Sequence, residues 1–130
     1  LLPPLPPGFV AAASEAELRN LIQDASDDVS IRLPPSAYFK LGSQISCTST
    51  IKVTVASSGE GATLDGQEQT GLFSLRAGCS LTLRGLTLVN GKAYNGGVVY
   101  AYQAGDVEII DSTVRDCSAS QGGGVVYARS

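Results

Sequence analysis

Short runs of alternating apolar and small polar residues return along this chain at a near-constant interval. Leu81-Thr82-Leu83 recurs as Val107-Glu108-Ile109, Thr87-Leu88 as Thr113-Val114, Asn90 as Asp116, Ala93 as Ala119, and Gly96-Gly97 as Gly122-Gly123. The offset is 26 residues throughout (107 − 81, 113 − 87, 122 − 96). Gly124 adds one residue, so Val98-Val99-Tyr100-Ala101 returns as Val125-Val126-Tyr127-Ala128 at an offset of 27. A period in the twenties, with β-prone runs punctuated by glycine, predicts an all-β solenoid whose coils stack on near-copies of themselves. Strand neighbours face opposite ways, so Leu64, Leu88 and Val114 are expected to stack inside, and Thr63, Thr87 and Thr113 to form an outward ladder. Coils would then lie about 4.8 Å apart, each hydrogen-bonded to the next. A β-sandwich, the competing all-β architecture, does not account for matching residues at one period.

The pattern changes before residue 29. Residues 1–11 form a proline-rich leader, with Pro3, Pro4, Pro6 and Pro7 favouring an extended polyproline II conformation. Residues 12–28 carry a capping signal, Ser14-Glu15-Ala16-Glu17, in which Ser14 can accept from the Glu17 amide while the Glu17 carboxylate reaches back to the Ser14 N–H. Ala16, Leu18, Leu21, Ile22 and Ala25 follow at helical spacing, which predicts one amphipathic helix over about 14–26. A solenoid exposes apolar side chains and unpaired strand edges at its first coil, and this helix is placed to cover them. Residues 29–130 then read as short strands, beginning with Val29–Leu33 and ending with Val125–Ala128. They amount to three to four coils of roughly 26 residues. The last strand runs directly into Arg129-Ser130, so the solenoid is expected to be open or continued at that end.

Composition narrows the partners. Apolar residues make up 43% of the 130 but aromatics only 6%, with no Trp or Met, as suits a narrow interior filled by Val, Leu, Ile, Ala and Thr. The net charge is −3, and without clustered Lys and Arg a nucleic-acid partner is disfavoured. No apolar run reaches the roughly 18 residues of a membrane span. Histidine is absent and no two of the three cysteines form a CxxC pair, so neither zinc nor any other metal or cofactor is expected. Cys47 and Cys79 fall about one coil apart near strand ends, where a disulfide between adjacent coils can form; small buried residues are the alternative. Cys117 is then odd, either free or paired outside the chain.

The order of residues from Ser14-Glu15-Ala16-Glu17 to Leu41, the run Ala62-Thr63-Leu64-Asp65-Gly66 and the repeat at 80–100 together resemble the pectin lyase-like superfamily, over about residues 12–130. The resemblance implies a right-handed parallel β-helix with an N-terminal capping helix. The repeats look most like those of surface-displayed members, including polymorphic outer-membrane-type adhesins and algal or protist extracellular proteins. It implies an extracellular or cell-surface location, where the leader prolines can be hydroxylated and glycosylated. The fold is specific but the role is not, since this coil carries lyases, hydrolases, adhesins and structural proteins.

Enzymes of the superfamily use clustered carboxylates with calcium and a basic residue, or paired aspartates. Here the repeat acids are Asp65, Asp106, Glu108, Asp111 and Asp116, beside Arg84 and Arg115. Asp111 and Asp116 lie five residues apart around a bend and need not converge on one sugar, as glycoside hydrolysis requires. Asp65, Asn90 and Asp116 read instead as turn residues, since Asn and Asp tolerate left-handed backbone. No catalytic residue is assigned. Alternation places Val98 and Tyr100 on one face and Val99 and Ala101 on the other, so one apolar stripe faces outward. Tyr100 and Tyr127, with Val98 and Val125 and with Tyr94 and Tyr102 nearby, are the candidate contact residues for a partner chain or a glycan. The threonine ladder is also compatible with ice binding, although β-branched threonine simply suits a strand. The favoured function is a non-enzymatic extracellular structural or adhesive module that associates with itself or other chains. The alternatives are a carbohydrate-active domain and a glycan-binding module.

Overall fold

The computed structural model describes residues 1–129, and Ser130 lies outside them. The chain winds into a parallel β-solenoid of four coils. Coil 1 contains β2 (Val29–Leu33), β3 (Tyr38–Lys40) and β4 (Ile45–Cys47), and coil 2 contains β5 (Lys52–Ser57), β6 (Ala62–Asp65) and β7 (Phe73–Leu75). Coil 3 is built from β8 (Ser80–Arg84), β9 (Leu86–Val89), β10 (Lys92–Asn95) and β11 (Val99–Tyr102). Coil 4 repeats it as β12 (Val107–Ile110), β13 (Thr113–Arg115), β14 (Ser118–Gly122) and β15 (Val126–Arg129). Equivalent strands pair in parallel into three long sheets, β2-β5-β8-β12, β3-β6-β9-β13 and β4-β7-β11-β15, with a small fourth sheet of β10 and β14.

The register follows the hydrophobic pattern. Phe39, Leu64, Leu88 and Val114 are successive partners, and Tyr38, Thr63, Thr87 and Thr113 run beside them. A one-residue slip would turn every apolar side chain outward, so burial of Leu64 and Leu88 pins the alignment. The third sheet stacks Ile45, Phe73, Val99 and Val126, and the first stacks Ile31, Val55, Leu83 and Ile109. These columns meet in one core. The strand offsets range from 24 residues (29 to 53) to 28 (53 to 81), so length variation is absorbed at the corners while the columns stay aligned. The glycine corner is displaced by one residue from the repeat read in sequence. Asn95 pairs with Gly122 after a register shift in β14, so Gly96 corresponds to Gly123, and both take positive φ, 69° and 59°.

Two strands escape the sequence pattern. β10 (Lys-Ala-Tyr-Asn) and β14 (Ser-Ala-Ser-Gln-Gly) have no apolar alternation, and they are extended because coil 4 lies in register on coil 3. Strand formation there follows from tertiary pairing and not from propensity.

The helix α1 spans Glu15–Gln23, shorter at its end than the apolar stripe suggests. Asp24, Asp27 and Asp28 follow it, and negative charge at a helix C-terminus opposes the macrodipole. Ser14 caps it, accepting from the Glu17 amide at 3.2 Å. The Glu17 carboxylate accepts from the Ala13 N–H at 3.0 Å, one residue earlier than the capping pattern implies. Leu18 and Ile22 are buried and join the core beneath coil 1. Arg19 pairs with Glu15 and donates to the Gln44 carbonyl at 2.7 Å and the Ser43 carbonyl at 2.9 Å, which fixes the helix against the β3–β4 corner.

The leader lies along its own solenoid. β1 (Val10–Ala11) adds in parallel to β2 and closes the first sheet's edge. Eight residues earlier, Leu2 and Gly59 exchange backbone hydrogen bonds of 2.8 and 3.2 Å at the corner of coil 2. Leu2 and Leu5, three residues apart, are half-buried, while Pro3, Pro4, Pro6 and Pro7 are exposed. A three-residue turn sends every third side chain the same way, which explains the division.

Candidate functional site

The outer surface of the β4-β7-β11-β15 sheet carries the column Ser46, Ser74, Tyr100, Tyr127. Coils 1 and 2 offer hydroxyls, coils 3 and 4 aromatic rings. The rings of Tyr100 and Tyr127 stack in parallel, 5.5 Å between centroids and 7° between planes. Parallel in-register strands place equivalent side chains about one strand spacing apart, which suits offset stacking.

Arg76, directly after β7, extends beneath this stack. Its guanidinium carbon lies 5.4 Å from the Tyr100 ring centre and 5.6 Å from that of Tyr102, within cation–π range of both. Among the described residues the Arg19–Glu15 contact is the ion pair found, and Arg76 has no carboxylate partner. An open cleft of about 450 Å³ lies beside it, lined by Gln44, Thr70, Ser74, Arg76, Tyr100 and, from β10, Lys92, Tyr94 and Asn95. Amides, hydroxyls, aromatic rings and two cations converge there, with no carboxylate in the lining.

The structure thus brings together Tyr94 and Tyr100 in the cleft, joins Tyr127 to Tyr100 by stacking, and holds Tyr102 within reach of Arg76. Val125 is exposed at 36%. Val98 is a correction: it is fully buried and cannot contact a partner or glycan. It sits at the corner before β11, where its carbonyl accepts from the Leu72 and Phe73 amides, so alternation does not extend back to it. Arg76, Lys92, Gln44 and Asn95 were missed by sequence reading because they come from different coils. Only the absence of carboxylates between Gln69 and Asp106 hinted at a basic surface.

The repeat acids do not share the cleft. Asp65 is nearly buried, 6% exposed, on the neighbouring sheet. Its carboxylate accepts from the Tyr38 hydroxyl, from the Gln67 amide at 2.7 Å and from the Asn90 side chain at 3.0 Å. Burial pushes this carboxyl up, but the hydrogen bonds, with the Lys40 charge, outweigh it and hold the group below its ordinary value. Tyr38 is raised in return, first by its hydrogen bond to Asp65 and then by burial. Asn90 and Asp116 occupy left-handed corners, φ 55° and 57°, as their turn reading implies. Asp65 instead belongs to β6, in register with Val89, and ties adjacent coils together.

Cys47 and Cys79 form a disulfide across 6.2 Å between Cα atoms. Cys117 is a free, half-buried thiol, and burial pushes it up despite the Gly91 N–H at 3.4 Å. A larger cleft of about 610 Å³ lies where α1 meets β2, bordered by Glu17, Asp24, Asp27 and Asp28. Among the described residues no helix is long and apolar enough to cross a membrane. Comparison with known proteins found no matching family model and no matching curated protein or solved structure.

Proposed function

We propose that this chain is an extracellular adhesive module of the pectin lyase-like, right-handed β-helix kind, and that it holds a glycan in the Tyr94–Tyr100 cleft. The observation that carries the reading is the Tyr100–Tyr127 stack beside a polar cleft. An aromatic face packs well on the C–H face of a sugar ring, while amides and hydroxyls satisfy its hydroxyl groups. A protein-binding surface would call for a broader apolar patch, and burial of Val98 removes part of the stripe that would supply one. The Cys47–Cys79 disulfide supports an oxidising, extracellular setting.

A structural, self-associating role is the second reading, favoured by the outward Tyr100–Tyr127 stack beside exposed Val125. One experiment separates the two. Replacing Tyr100 and Tyr127 with Ser should abolish retention on immobilised polysaccharides without changing particle shape by electron microscopy. Retention unchanged in the double variant would reject the cleft, and filaments lost with it would favour the structural role.

A further inference from the structure

We propose that the cleft takes a sulfated sugar unit, its sulfate ester held between Arg76 and Lys92 and its ring against Tyr100. This rests on the glycan-binding reading above. Charge is the first argument. The chain carries a net −3, yet this cleft gathers two cations and no carboxylate. Such a local reversal of sign attracts an anion and repels none of its own walls. Arg76 is the second. Contact with two tyrosine rings fixes the guanidinium face, while its N–H edges meet no carboxylate among the described residues. A cation already held against two aromatic rings keeps its N–H donors for a ligand, and less side-chain entropy is lost when they are used.

The two directions of approach favour a tetrahedral oxyanion over a planar one, and on a sugar a sulfate ester supplies it. Arg76 follows β7, whereas Lys92 begins β10, so the two cations enter the cleft from different sheets. A tetrahedral sulfate ester presents three oxygens and can meet both at once. A planar carboxylate is satisfied by one guanidinium fork. The neighbouring Gln44, Ser74 and Asn95 supply uncharged donors and acceptors for the ring hydroxyls.

The test uses the whole chain and three immobilised polymers: a sulfated galactan, the same galactan after chemical desulfation, and a polyuronate. The sulfated polymer should bind best, with affinity falling as salt is raised from 50 to 500 mM (roughly from 14 to 4 Å screening length). R76Q and K92Q should each weaken it by about tenfold, the loss expected for one charge-assisted contact. Both residues are exposed, so the variants keep the fold, and unchanged circular dichroism checks this. Equal binding of the desulfated polymer, still dependent on Tyr100, would overturn the sulfate assignment and leave glycan adhesion standing. Preference for the polyuronate would overturn it too. No retention on any polymer would overturn both proposals.

Discussion

Asp65 shows how one side chain can join three coils. It accepts from Tyr38 of coil 1 and Asn90 of coil 3 while sitting in coil 2. Because its folded pKa is depressed, the stabilisation is fully present above the ordinary aspartate value of 3.8 and fades as pH falls through the lower folded value. Tyr38, raised above 10.0, has the opposite sense: its share persists below that value and fades as pH rises through the higher folded one. Urea midpoints for the wild type and D65N should therefore differ more at pH 7 than at pH 2.5. An equal gap at both would show that the carboxylate charge is irrelevant. Gly91 makes a separate residue-scale prediction. A Cβ there would stand 1.9 Å from the Gly97 carbonyl oxygen, whereas one at Gly124 meets nothing within 4 Å. Gly91→Ala should cost about 3 kcal/mol or more, and Gly124→Ala little, in thermal melts. Neither could be read from the chain: Asp65's partners sit on other coils, and Gly91 meets Gly97 only because coil 3 folds back around β10.

At the scale of elements, each strand is stabilised by the coil above and the coil below. Leu88 has both neighbours, Leu64 and Val114, and is fully buried. Val114 has one described neighbour and is half-buried. Leu88→Ala should cost about 3 kcal/mol, Val114→Ala roughly 1 kcal/mol, by chemical denaturation. Similar losses for the two would mean that coil 4 is as well packed as coil 3. The columns of β9 and β13 were legible because large apolar residues repeat there. β10 and β14 were not, because Lys92–Asn95 and Ser118–Gly122 have no side-chain pattern and depend on backbone pairing. The leader likewise reads in sequence only as an extended polyproline II segment, with no sign of where it docks. Leu2, Leu5 and β1 decide its course instead, and docking on its own coils leaves the exposed prolines as the surface open to modification.

At the scale of the whole molecule, burial among the described residues is deepest in coils 2 and 3 and only partial in coil 4. α1 and β1 cover the core below coil 1, so end-on stacking of identical chains must first displace them. The Cys47–Cys79 bridge, 32 residues in separation, ties coil 1 to the start of coil 3. In the loop-entropy description it contributes about 3 to 4 kcal/mol. Reduction should lower stability by that amount while leaving Cys117 slow to alkylate in the folded state, since its thiol is half-buried and raised. Hydrogen exchange should be fastest in β12–β15 and slowest in β5–β9. Uniform protection along the solenoid would contradict a nearest-neighbour chain of coils.

A period of about 26 residues, recurring apolar triplets and glycine corners were enough to determine the coil and most of its register. Those features act between equivalent positions of adjacent coils, and a linear repeat displays them directly. Tertiary structure alone decided the cleft, the Asp65 node, the course of the leader and the burial of Val98. Each depends on non-equivalent residues brought together around the circumference of a coil, and corners of variable length hide that distance from the sequence.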